Sequence, residues 1–170
     1  MLVRRLVAAD VDAYRRLMLE AYARHPEAFT SSAEERAALP VEWWRQRLDH
    51  AADAPQQVFG AFIDDRLIGS VGLLFDARLK SRHKAELFGM YVADTARGQG
   101  AGHALVDAAI RAAIAREATV LQLTVTEGNR SAERLYDRCG FEVFGIEPLA
   151  VRIDGRYLSK VHRWRRLYGS

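Results

Sequence analysis

The sequence holds a single cysteine, Cys139, among its 170 residues, so no intramolecular disulfide can form. That fits a reducing compartment. No apolar run approaches the ~20 residues that a membrane-spanning helix needs. The opening stretch MLVRRLVAADVDAY lacks the apolar core and cleavage site of a secretory signal. A cytoplasmic protein with no membrane partner is expected. There is no large excess of either charge. The net charge of +3 is too small to argue for a nucleic-acid partner. The one local concentration of base, KVHRWRRL at 160–167, reads as a solvated strand end. Internal repeats, low-complexity tracts and long linkers are also missing, so residues 1–170 read as one domain.

What is present is a globular composition, 49% hydrophobic and 28% charged, able to bury a core without staples. A short strand is expected at 2–6. From Asp10, a fair N-cap, the residues Val11, Tyr14, Leu17, Met18, Ala21 and Tyr22 recur at helical spacing until His25-Pro26. A polar stretch follows, and Pro40 opens a second helix through VEWWRQRLDHAA. QVFGAFID and RLIGSVGLLFDA form a hairpin about Asp64-Asp65, and KAELFGMYVAD is a third strand. Gly89 in the middle of that strand predicts a bulge or a close backbone approach. Leu105, Val106, Ala109, Ile110, Ala113 and Ile114 mark a helix, and TVLQLTVTE a strand. NRSAERLYDRCGF reads as a short helix capped by Asn129 or Ser131 and stopped by Gly140. Two more strands close the chain around Asp154-Gly155. The order β-α-α-β-β-β-α-β-α-β-β predicts an α/β protein with a mixed sheet.

The chemistry concentrates in ARGQGAGHAL at 96–105, a glycine-rich loop between a strand and a helix. A helix N-terminus offers free N–H groups to an anion. The loop lacks the Gly-Lys of a nucleoside triphosphate loop. It also lacks the third glycine of the dinucleotide motif, because His103 or Leu105 stands there. What remains is Arg97-x-x-Gly100-x-Gly102, with Val92 five residues upstream. Downstream lie Asn129, Ala132, Leu135, Tyr136, Gly140 and Phe141. In these two motifs, over roughly residues 83–145, the sequence resembles the GCN5-related N-acetyltransferase (GNAT) family.

The resemblance implies the acyl-CoA N-acyltransferase fold, an α/β fold with a mixed, mostly antiparallel central sheet and flanking helices, and an acetyl-CoA dependent enzyme. Acetyl-CoA would be the acyl donor, and a small-molecule amine or a peptide the acceptor. The amine would attack the thioester directly in a ternary complex. The pyrophosphate would rest on the backbone of Arg97, Gly98, Gln99, Gly100, Ala101, Gly102 and His103. The pantetheine arm would lie between two splayed strands along Met90, Tyr91 and Val92, with Asn129 and Ser131 beside it. An N–H of Met90 aimed at the thioester carbonyl would stabilise the oxyanion. Tyr136 matches the general acid of the family. Glu86 is the candidate base, on the face of Met90 if alternation holds up to the bulge. His83 is an exposed substitute for it, and Phe88 fills a position where some relatives keep histidine. Tyr22, Phe29, Trp43, Trp44 and Tyr157 are candidates for the acceptor site, and Glu34 and Glu35 could meet a cationic amine. The five histidines show no ligand spacing, so no metal is expected. Cys139 reads as a buried, unreactive thiol. Homodimers are common in the family and compatible with this chain. A non-catalytic coenzyme A sensor of the same fold is the alternative; Tyr136 and Glu86 favour the enzyme.

Overall fold

The computed structural model describes residues 1–168, so the last two residues of the expected domain lie outside the described residues. Strand β1 (Leu2–Arg5) leads into helix α1 (Val11–Arg24), whose Val11, Tyr14, Leu17, Met18, Ala21 and Tyr22 are all buried. Asp10 precedes the helix as expected but does not cap it. Its carboxylate instead accepts from the Val7 N–H (2.8 Å) and is held by Arg4 (2.8 Å).

The polar stretch after α1 contains a helix that periodicity could not show, α2 (Ala33–Ala37). It is nucleated by a capping box. The Glu35 N–H donates to Ser32 Oγ (3.1 Å), and the Ser32 N–H donates to the Glu35 carboxylate (2.9 Å). The next helix, α3 (Val41–Gln46), is shorter than expected. The chain beyond it is held as a turn. Arg5 Nη2 donates to the Asp49 (2.7 Å) and Ala51 (3.2 Å) carbonyls, and the Ala51 N–H donates to the Asp49 carboxylate (3.1 Å).

Strands β2 (Gln56–Ile63) and β3 (Arg66–Phe75) form the expected hairpin, with Asp64 and Asp65 at φ 48° and 60°. Then follow β4 (Lys84–Val92), α4 (Ala101–Ala115), β5 (Val120–Thr126), α5 (Arg130–Arg138), β6 (Glu142–Ile153) and β7 (Arg156–Arg166). The seven strands form one sheet in the order β1-β2-β3-β4-β5-β7-β6. All neighbours are antiparallel except β4 and β5. The middle of the sheet is buried on both sides, whereas β6 is largely exposed. One core holds Leu105, Val106 and Ala109 of α4 with Val71, Leu73 and Leu87 of the sheet. The other holds Tyr14, Met18 and Trp44 with Val58 and Tyr91. Each large apolar side chain so buried contributes about 1.5–3 kcal/mol.

Two irregularities shape the middle of the sheet. The first is the predicted bulge. Ser70 pairs Tyr91 and Gly72 pairs Phe88, so β4 carries one residue more than β3 between these pairs. Gly89 there has φ 58°, a left-handed backbone that favours glycine. The bulge inverts the alternation. Leu87 lies in the core under α4, whereas Tyr91 lies in the core under α1. Met90 packs on the α4 side, and Phe88 lies under Arg47 beyond α3. Glu86 and Met90 are therefore on opposite faces, which corrects the expectation of a shared face.

The second is a parting of strands. β4 and β5 pair only at Lys84–Val120, Ala85–Leu121 and Glu86–Gln122, then separate. The basic stretch at 160–167 is also more structural than expected. Arg163 is buried and ion-paired to Asp137 (2.5 Å), and Arg165 Nη1 donates to the Cys139 carbonyl (2.6 Å). These contacts fasten α5 to β7.

Candidate active site

A groove of about 790 Å³ opens where β4 and β5 part and extends to the first turn of α4. The first intrahelical bond of α4 runs from the Ala104 N–H to the Gly100 carbonyl (3.1 Å). The N–H groups of residues 101–103 therefore have no helical acceptor. No side chain caps this helix, and its first turn carries no acid. The contrast with α2 and α5 is plain, since Ser32 caps the first and Asn129 Oδ1 accepts from the Ala132 N–H (3.3 Å) in the second. Gly98 and Gly100 have φ 78° and 82°. A Cβ at either would meet no atom within 4 Å, so backbone angle and not crowding asks for glycine.

Met90, Tyr91, Val92, Arg97, Gly98 and Gly100 line this groove, as do Ala101, Gly102, His103, Asn129 and Ser131. Gln99 is exposed and outside the lining. Tyr91 turns its ring into the core beneath α1, where its hydroxyl donates to Glu20 (3.2 Å). Burial first, then the Glu20 charge, pushes that phenol up to about 12. The Arg97 guanidinium is tied back, with Nε donating to the Val92 carbonyl (3.3 Å) and Nη2 paired to Asp94 (3.1 Å). His25, Arg130, Arg138 and Arg156 also line the groove and were not anticipated. Arg130 and Arg138 stand inside the second motif, so their charge was visible there, but Arg156 arrives by the β6–β7 hairpin, far away in sequence.

A second cavity, of about 380 Å³, adjoins the groove. The two share Ala28, Phe29, Met90, Thr126, Asn129 and Ala132. Glu86 and Tyr136 both line it, so the structure gathers the two candidate catalytic residues beside Met90. Glu86 is exposed. Tyr136 is buried edge-on to Phe141, with ring centroids 5.8 Å apart. Burial pushes its phenol well above the ordinary value, with Cys139 adding to the rise and Arg163 opposing it. Cys139 is buried, and burial raises its thiol too, as expected for an inert cysteine.

The acceptor candidates divide. Tyr22 and Phe29 line the second cavity. Trp44 is fully buried in the core, and Tyr157 is exposed outside both cavities. Trp43 is a platform, with the guanidinium carbons of Arg36 and Arg47 at 4.4 and 4.2 Å from its ring centre. Glu34, Glu35 and His83 line neither cavity. Glu35 is spent in the α2 cap. Among the described residues, no cluster of three His, Cys, Asp or Glu is placed to hold a metal ion, and no helix is long and apolar enough to cross a membrane.

Residues 13–141 match the model of the Acetyltransferase (GNAT) family. The chain belongs to this family. A streptothricin acetyltransferase of Escherichia coli is 31% identical to this GNAT chain over 99 residues. That match covers 58% of the chain and 55% of the relative, so the chain matches about half of the relative's length. A GNAT-family acetyltransferase structure from Streptococcus pneumoniae superposes with TM-score 0.88 at 22% identity, covering 98% of this chain and 99% of that one. A phosphinothricin acetyltransferase of Sinorhizobium meliloti, solved with acetyl-CoA, gives TM-score 0.81 at 22% identity over 99% of this chain and 90% of that one.

Proposed function

We propose that this GNAT protein is an acetyl-CoA dependent N-acetyltransferase acting on a primary amine. The observation that carries the reading is the parting of β4 and β5 beyond Glu86 and Gln122. It joins a groove ending on an uncapped helix N-terminus to a cavity holding Glu86 and Tyr136.

The pyrophosphate is assigned to the free N–H groups of residues 101–103, where the helix dipole favours negative charge. Arg130, Arg138 and Arg156 add positive charge to the same groove. The pantetheine arm takes the place of a strand beside Met90, Tyr91 and Val92. Its thioester then lies where groove and cavity meet. Gly89 and Met90 have no ladder partner in β3 or β5. The Met90 N–H, at a residue outside both ladders, is assigned to the developing oxyanion.

In the reaction the amine nitrogen bonds to the acetyl carbon and the C–S bond breaks, its electron pair staying on sulfur. Glu86 takes the proton lost by the amine, directly or through water. Tyr136 is assigned to the departing sulfur. Its raised pKa, against about 8.5 for a thiol, makes full proton transfer uphill. The hydroxyl acts chiefly as a hydrogen-bond donor to the thiolate. The test is coenzyme A release from acetyl-CoA with a panel of amines. Amine-dependent release with formation of the N-acetyl product is expected; tight coenzyme A binding without release for any amine would reduce the protein to a binding module.

A further inference from the structure

The cavity assigned to the amine carries the wrong charge for a simple cation. Among the described residues that line it, Glu86 is the one carboxylate, against Arg36, Arg47 and Lys160. A bare ammonium would enter against a net positive wall. We propose that the acceptor is a small primary amine that also bears an anionic group, in its simplest form an amino acid whose carboxylate is held by Arg36 and Arg47. This inference rests on the acyltransferase reading and names the substrate class of the same site.

Three observations support it. First, the arginines are positioned but unpaired. Both stack over Trp43, and Arg47 also lies over Phe88, 5.1 Å from its ring centre. Stacking fixes guanidiniums in place without consuming their in-plane donors. Among the described residues neither forms an ion pair. Arg36 Nε is buried without an acceptor, and the Arg47 contact is a 3.4 Å donation to the Tyr14 hydroxyl. Two cations held on one indole with no counter-charge, both lining the cavity, leave charged donors open to a carboxylate.

Second, one cavity gathers both kinds of group that such a molecule needs. Arg36 of α2 and Arg47 just beyond α3 line it together with Glu86 and Met90 of β4 and Tyr136 of α5. An acceptor anchored by its anion on the arginines keeps its amine in the same cavity as Glu86. Lys160, on β7, already donates to Thr30 Oγ1, so the arginine pair is the freer anchor. Third, about 380 Å³ suits a molecule of amino-acid size.

The experiment compares amino acids with their decarboxylated amines, such as phenylalanine with phenethylamine, tryptophan with tryptamine and leucine with isopentylamine. Each is titrated calorimetrically into the protein, with and without coenzyme A, and then tested for acetylation. At least one acid-bearing member is expected to bind about tenfold or more tightly than its amine. Arg36→Gln and Arg47→Gln should each erase most of that preference, with coenzyme A affinity and far-UV circular dichroism serving as fold controls. Equal binding of both members, tighter binding of the decarboxylated amine, or binding of neither in any pair would overturn the proposal. Loss of coenzyme A binding by the wild-type protein would instead overturn the proposed function, since the titration without coenzyme A still compares the two ligand classes.

Discussion

Met90 and Thr126 would face each other if the register that sets Glu86 against Gln122 ran on for four more residues, yet both instead line open space. Two local features keep them apart. The bulge at Gly89 takes Met90 out of the β3 ladder. Thr126 Oγ1 donates to the Glu27 carbonyl (2.7 Å), which draws the end of β5 towards the segment after α1. The gap is therefore a built feature of the sheet, and the proposed chemistry depends on it.

Gly89→Ala tests the bulge. The added Cβ would meet only Met18 Cε at 3.6 Å, so sterics permit it. The left-handed φ of 58° does not suit alanine, and a loss of about 1–2 kcal/mol is expected. Urea denaturation measures it. Gly89→Asn, which tolerates this backbone better, should lose less.

Gly100→Asp tests the phosphate cradle. Aspartate tolerates the left-handed backbone at φ 82° and has open space before it. Its charge would lie at the free N–H groups of α4. Coenzyme A affinity should fall by about a hundredfold or more while the melting temperature stays near that of the parent. Titration calorimetry beside a thermal melt reads both.

Tyr136→Phe should lower kcat by roughly tenfold to a hundredfold and leave the KM for acetyl-CoA nearly unchanged. It also changes the response to alkali. Burial raises the Tyr136 phenol above its unfolded value near 10, so the folded state holds this proton more tightly. That contribution is complete below about pH 10 and is lost as pH rises through the folded value. Stability measured from pH 9 upward should fall less steeply in the variant. Tyr91, pushed up to about 12, keeps a residual slope in it.

Trp43→Leu should remove the platform under Arg36 and Arg47. The cost in stability is about 1–2 kcal/mol. The KM for an acid-bearing amine should rise by about tenfold. Steady-state kinetics with such an amine and its decarboxylated partner measure the difference.

Sequence spacing pointed to the proposed donor side of this site because its signals are local. Arg97, Gly100 and Gly102 lie within one loop, and Asn129 to Phe141 within one helix and its stop. Gly89 signalled a bulge or a close backbone approach, but the consequence of the bulge was not legible. Which face Met90 takes depends on how β3 pairs with β4, a long-range matter. Helix α2 had a signal, Ser32 followed three residues later by Glu35, hidden in a stretch too short for periodicity. The acceptor wall was the hardest part. Glu34 and Glu35 drew attention as partners for an amine, whereas the cavity is lined by Arg36 and Arg47. Both stack on Trp43 of α3, Arg36 from α2 and Arg47 from just beyond α3, and nothing in the spacing of 36 and 47 announces it. The insertion of β7 between β5 and β6 is likewise a property of the whole sheet.

The most direct test is a residue-resolved amide NMR titration of the protein with coenzyme A and acetyl-CoA. The account predicts the largest shifts for the N–H groups of residues 101–103 with both ligands, and a further shift at Met90 that needs the acetyl group. Unchanged amides at the start of α4, with shifts confined to other surfaces, would contradict it.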